Sequence, residues 1–107
     1  LVFTSANAVR FMNLKNDDKN IKCFCVGSIT ERSLRLKGFN NTIAASGTVF
    51  ALKNLIINSD KDIKKLAYLC GDVISYDLDK ELIKEGFKVS KIINYNSNKI
   101  LEINPKN

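Results

Sequence analysis

Four times along this chain an apolar run stops at a short loop of small polar residues, and apolar positions at helical spacing follow. The loops are Thr4-Ser5-Ala6-Asn7, Gly27-Ser28, Ser46-Gly47-Thr48 and Gly71-Asp72. Strands that alternate with helices through short connections form a parallel sheet with helices on both faces and right-handed crossovers. In such a sheet the four loops lie along one edge, at the carboxyl ends of the strands, where open α/β sheets bind ligands. Helix N-termini at that edge present free backbone N–H groups and the positive end of the helix dipole, which suit an anion. The pattern therefore points to a ligand, and to an acidic one.

The elements follow from periodicity and punctuation. Leu1 to Thr4 reads as a short strand, and Ala8, Val9, Phe11 and Met12 as the apolar face of a helix over 6–15. A polar loop at 16–20 leads to a second strand, Ile21 to Val26. Ser28 and Glu31 have capping-box spacing and open a helix that ends near Gly38. Asn41 to Ala45 is a weak third strand. Ser46 can cap a helix with Val49, Leu52, Leu55 and Ile56 on one face. After a surface loop at 58–62, Lys65 to Cys70 reads as the fourth strand. Asp72 or Ser75 starts a helix with Leu78, Leu82 and Ile83 inward, ending at Gly86, and Val89 to Tyr95 is the fifth strand. The order is βαβαβαβαβ, a three-layer α/β arrangement, and the sole proline, Pro105, lies beyond it.

Composition narrows the functional classes. A chain of 107 residues with 45% hydrophobic residues is one domain able to bury one core. No apolar stretch reaches the roughly 18–20 residues of a membrane helix, and no secretory signal is visible. The chain opens at Leu1 inside an apolar run, which reads as a fragment lacking what precedes that strand. Net charge is +6, from 17 Lys+Arg against 11 Asp+Glu. Lys far outnumbers Arg, and Asn and Ile are abundant, so the basicity reads mainly as compositional drift. The cations form no dense run with interleaved aromatics, which argues against a nucleic-acid groove. The absence of His excludes His-based acid–base catalysis, a Ser-His-Asp triad within the chain and His-ligated metal. Cys23 and Cys25 lie two apart on a strand and so share a face. With Cys70 they do not supply a structural zinc site, and they read as buried, reduced thiols in a reducing cytosol.

The strand-end loops hold the candidate chemistry. Ser5 or Asn7 can cap the first helix, and both can also hold a ligand carboxylate. No basic partner adjoins Ser5, so it is not a nucleophile. Gly27-Ser28 lacks the further glycines of a dinucleotide loop, and no Gly-rich phosphate loop with Lys occurs. A receiver-type acidic cluster is missing, since only Asp72 stands near a strand end. Tyr95, at the end of the fifth strand, is either a half-buried aromatic or a proton donor.

Taken in order, these pieces resemble uroporphyrinogen-III synthase. The motifs are Phe3-Thr4-Ser5-Ala6-Asn7-Ala8-Val9, then Val26-Gly27-Ser28-Ile29-Thr30 before a helix ending Lys37-Gly38-Phe39. Ser46-Gly47-Thr48, Leu69-Cys70-Gly71-Asp72, and Gly86-Phe87 leading through Val89 to Tyr95 complete the match. The resemblance implies a flavodoxin-like/Rossmann-like lobe over 1–95, one of two lobes joined by a pair of extended strands, with 96–107 as a connecting segment. It implies that the intact enzyme closes hydroxymethylbilane, a linear tetrapyrrole, to uroporphyrinogen III with inversion of the terminal ring. It further implies no metal or organic cofactor, a cytoplasmic monomer without nucleic-acid or membrane partners, and an inactive isolated lobe. Carried over by position, Tyr95 is the general-acid candidate. Ser5, Ala6, Asn7, Gly27, Ser28, Thr30, Gly47, Thr48 and Gly71 are the substrate-binding candidates. The competing readings are a non-catalytic α/β module that binds a small anion or a partner protein, and a flavodoxin-like nucleotide-binding domain.

Overall fold

A computed structural model of the chain describes residues 1–12, 19–59, 62–72 and 76–95. Its elements run β1 (Val2–Phe3), α1 (Ala6–Arg10), β2 (Cys23–Val26), α2 (Ser28–Leu36), β3 (Thr42–Ala45), α3 (Val49–Ile57), β4 (Lys65–Gly71), α4 (Leu78–Lys84) and β5 (Lys88–Tyr95). All strands pair in parallel, in the order β3-β2-β1-β4-β5. This is the three-layer α/β architecture expected from the alternating pattern. The chain winds outward from β1 to β3, returns across the sheet, and adds β4 and β5 on the other side of β1. Reversing direction with one crossover hand puts α1 and α2 on one face and α3 and α4 on the other. The switch point lies between β1 and β4.

Both faces of the central strands are covered, so both side-chain parities are apolar. Val2, Phe24, Leu66, Tyr68 and Cys70 pack with Leu52 and Ile56 of α3 and Leu78 and Leu82 of α4. Phe3, Cys23, Cys25 and Leu69 pack with Ala8, Val9 and Leu34 on the opposite face. Cys23 and Cys25 therefore share a face, as their spacing requires, and Cys70 faces the other way. β5 is an edge strand, where Lys88 and Lys91 are exposed. Charged side chains of this kind discourage pairing with another chain's edge.

The helix starts differ from the capping pattern in the sequence. Ser28 is the first helical residue of α2, and Gly27 stands at the cap with φ 85° and no side-chain cap bond. The left-handed turn at Gly27 starts the helix one residue early, so the Ser28/Glu31 capping box does not form. Glu31 instead accepts a hydrogen bond from Thr42 Oγ1 at 3.0 Å and pairs with Arg35 at 3.7 Å. Thr48, not Ser46, caps α3: its Oγ1 accepts from the Ala51 N–H at 3.1 Å. α4 begins after Asp77, beyond Asp72. Leu78 and Leu82 point inward, but Ile83 is 52% exposed, because one residue past Leu82 the helix has rotated toward solvent. The expected extension of α1 over 13–15, the loop at 16–18, Asp60 and Lys61, Ser75 and the segment 96–107 lie outside the described residues.

Candidate active site

β1 ends in Thr4-Ser5 at the switch point. Ser5 is extended (φ −147°, ψ 142°), and its Oγ accepts the Asn7 N–H at 3.0 Å, which caps α1. Tyr95, from the far end of β5, donates its phenol to the same Oγ at 3.4 Å. Ser5 thus accepts two hydrogen bonds within the protein and keeps its own proton for the cleft. It fills the helix-cap role the sequence allowed, and it also lines the cleft.

The backbone fixes the direction of Tyr95. Along β4 and β5, Cys70 pairs with Ile93, but Gly71 pairs with Tyr95, so the register skips Asn94. Such an irregularity re-aims side chains at a strand end. Asn94 Nδ2 donates to the Ala8 carbonyl at 2.8 Å, which ties this turn of β5 to α1. Tyr95 comes to the same face and stacks on Phe11, with centroids 5.9 Å apart and planes 23° apart. Its ring lies directly over Gly71. A Cβ there would stand 2.6 Å from Tyr95 Cζ and 3.0 Å from its hydroxyl. Gly71 is glycine because an aromatic ring occupies the side-chain volume.

Across the sheet edge, on the α3/α4 face, stands a second pair of hydroxyls. Thr4 Oγ1 and the Tyr68 hydroxyl are 3.3 Å apart, and either can donate. Tyr68 is 2% exposed. Burial pushes its phenol up from the ordinary value, and the Thr4 hydrogen bond opposes this. Tyr76, just before α4, packs against Phe50 with centroids 4.8 Å apart and rings tilted by 58°.

Together these groups line a cleft of about 360 Å³ at the carboxyl ends of the strands. Its walls are Thr4, Ser5, Tyr68, Gly71, Tyr76 and Tyr95, with Val26, Gly47, Val49 and Cys70 between them. Among the described residues the lining contains hydroxyls and aromatic rings and no charged side chain. Such a surface donates hydrogen bonds without carrying charge.

Of the residues singled out in the sequence, Ser5, Gly47, Gly71 and Tyr95 meet in this cleft. Ala6 and Asn7 form the first turn of α1 beside Ser5, and Asn7 Oδ1 accepts from Arg10 at 3.3 Å. Gly27 and Thr48 are the caps of α2 and α3, at the same sheet edge but off the cleft wall. Ser28 is exposed, and Thr30 is buried at 5% exposure within α2. Sequence reasoning missed Tyr68 and Tyr76 as lining groups. A tyrosine inside an apolar strand was the available signal, since a buried phenol needs a partner.

Cys23 and Cys25 lie away from the cleft, and Cys70 lines it as a buried thiol. Cys25 is pushed up to about 11, first by burial and then by Glu31 and Cys23. Burial also raises Cys23 and Cys70. All three are free and buried, so they behave as packing groups and not as nucleophiles. Among the described residues no three His, Cys, Asp or Glu side chains gather as a metal site, and no helix is long and apolar enough to cross a membrane.

No curated protein and no solved structure gives a significant match to the chain. The family model described as uroporphyrinogen-III synthase HemD matches residues 1–106. That match covers every strand of the sheet and every loop of the cleft, and the chain belongs to the uroporphyrinogen-III synthase family.

Proposed function

We propose that this protein converts hydroxymethylbilane to uroporphyrinogen III, and that the cleft at the switch point is where this lobe holds the tetrapyrrole. The observation that carries the reading is Tyr95: a phenol fixed over Gly71, beside Ser5, in a wall that among the described residues has no charged side chain. The reaction begins with loss of the bilane hydroxyl. Tyr95 gives its proton to that oxygen as the C–O bond breaks, water leaves, and a reactive azafulvenium cation remains beside the phenolate. The substituted carbon of the terminal ring attacks it to form a spiro intermediate, which fragments and recloses with the ring inverted. A phenol suits this role, because it protonates a poor leaving group, and the phenolate it becomes stands beside the cation and takes a proton back when the macrocycle closes.

Beyond that proton, the task is orientation. Spontaneous closure competes, so the protein must hold the two ends of the bilane for attack at the substituted carbon and exclude the simpler closure. Ser5 offers its free proton to a substrate carboxylate. The exposed helix starts at Gly27-Ser28 and Thr48 offer backbone N–H groups at the same sheet edge to others. A second lobe supplies the facing wall, as the resemblance implies. Free, buried thiols suit work in a reducing cytosol.

The test uses the purified full-length protein and hydroxymethylbilane, with the product isomers separated by chromatography. The type III isomer is expected to dominate, and only the spontaneously formed type I isomer would return the chain to a non-catalytic anion-binding module. Tyr95→Phe should lower turnover by about a hundredfold or more while the melting temperature stays within a few degrees. Unchanged turnover would take Tyr95 out of the chemistry.

A further inference from the structure

We propose that Tyr68, held by Thr4, is a second substrate-binding tyrosine of the cleft, donating a hydrogen bond to a side-arm carboxylate of the tetrapyrrole on the α3/α4 side. The inference rests on the reading of the cleft as the tetrapyrrole site and adds a residue that the family motifs above do not include.

Tyr68 is packed on all sides, yet it belongs to the cleft wall. Its ring sits in the cluster built by Leu52, Leu78 and Leu82, and it is 2% exposed. Tyr68 is nevertheless one of the residues that line the cleft, and its hydroxyl is bonded to Thr4, another of them. A phenol fixed in this way loses little side-chain freedom when a ligand arrives.

Proton counting gives the polarity of the site. The Thr4 and Tyr68 hydroxyls carry two protons, and one of them makes their mutual bond at 3.3 Å. Whichever group donates that bond, the other keeps a proton with no further partner among the described residues. A pair with one spare donor asks for an acceptor. The bilane brings carboxylates, and a charged acceptor makes the stronger hydrogen bond. Burial, the first cause of the raised Tyr68 phenol, keeps it a donor across the physiological range. The charges that bear on this flank are Asp79 of α4 and Lys91, the cross-strand neighbour of Tyr68 on β5, and they oppose each other at Cys70.

The two tyrosines then divide the work by face. Tyr95 acts on the leaving hydroxyl from the α1 side, and Tyr68 anchors an acidic arm from the α3/α4 side. Binding by Tyr68 is the same before and during the reaction, so its loss falls on KM.

The experiment compares the full-length protein with its Tyr68→Phe and Thr4→Val variants. Tyr68→Phe keeps the ring and removes the hydroxyl. It should raise KM for hydroxymethylbilane about tenfold or more and leave kcat within about threefold, as expected for one charge-assisted hydrogen bond. It should weaken binding of uroporphyrin III, followed by fluorescence, by a similar factor, and should not weaken binding of the octamethyl ester of that porphyrin. Thr4→Val leaves the packed phenol in place but frees its hydroxyl hydrogen to turn, and should raise KM less than Tyr68→Phe does. Unchanged KM and porphyrin affinity in Tyr68→Phe, with Tyr95→Phe still impaired, would overturn the role of Tyr68 and leave the synthase reading intact. Equal losses for the acid and the ester would also overturn it. Failure of the unmodified protein to make the type III isomer would strike the synthase reading itself.

Discussion

The face of the sheet under α3 and α4 is filled by Leu52, Ile56, Leu78 and Leu82 against Val2, Phe24 and Tyr68. The face under α1 and α2 mixes smaller or softer groups, Ala8, Val9, Cys23 and Cys25, with Phe3, Leu34, Phe39 and Leu69. Tyr68 of the first face and Tyr95 of the second both reach the cleft, but the two are positioned by different means. Tyr68 is set by side-chain packing deep in a leucine-rich layer. Tyr95 is half-buried and set by backbone: a register skip, a missing Cβ at Gly71 and a serine that also caps a helix. One face therefore couples its functional group to global stability, and the other couples it to local geometry.

The largest expected effect breaks the packed face. Leu52→Ala deletes a fully buried side chain and should cost about 2–5 kcal/mol of unfolding free energy in urea titrations. Activity at low temperature should survive in the fraction that stays folded. A loss below about 1 kcal/mol would mean that this layer collapses around the gap and that its packing is looser than its burial indicates.

Breaking the other face should do the reverse. Gly71→Ala puts a methyl group 2.6 Å from Tyr95 Cζ, and Phe11 stacks on the same ring, so the phenol must move off Ser5. A displacement of about 1 Å should lower kcat about a hundredfold. Unfolding free energy should fall by only about 1–3 kcal/mol. Retained kcat would show that the ring swings clear without loss, and that the chemistry does not depend on where Gly71 puts it.

The smallest effect is a pH dependence that belongs mostly to the thiol face. Cys25 holds its proton to about 11, whereas an unfolded thiol releases it near 9.0, and burial shifts Cys23 and Cys70 in the same direction. Between those values the folded chain binds more protons than the unfolded one, so stability is whole below about pH 9 and falls as pH rises toward 11. Urea midpoints measured across that window should decline, and Cys23→Ala with Cys25→Ala should flatten the decline more than Cys70→Ala does. Equal flattening by Cys70→Ala would remove the distinction between the faces.

Much of this organisation was legible in the sequence. The strands were, because buried parallel strands leave continuous apolar runs. The sharing of one face by Cys23 and Cys25 was, because parity within a strand is local. Helix starts were read one or two residues off at Ser28 and Ser46, where glycines with φ of 85° and 80° set the turn. A left-handed glycine shifts the first helical residue in a way that a polar side chain nearby does not reveal. The gathering of Ser5, Gly47 and Gly71 at one sheet edge followed from topology, whereas Tyr95 was singled out by the family resemblance. The Thr4–Tyr68 pair did not, because its members are 64 residues apart and neither stands in a recognisable spacing with the other. The direction of Tyr95 was also out of reach, since it depends on which residue of β5 is left out of the ladder.

That omission has a further consequence. Side chains on a strand are assigned to faces by odd and even count. Val89 lies on the α3/α4 side, and straight counting from it sends Tyr95 to that side as well. The unpaired Asn94 adds one to the count, and Tyr95 instead joins the α1 cluster. The tyrosine's address is thus a matter of arithmetic as much as of chemistry. A single-residue deletion in β5 can leave every side chain of the site in place in the sequence and still deliver the phenol to the wrong half of the molecule.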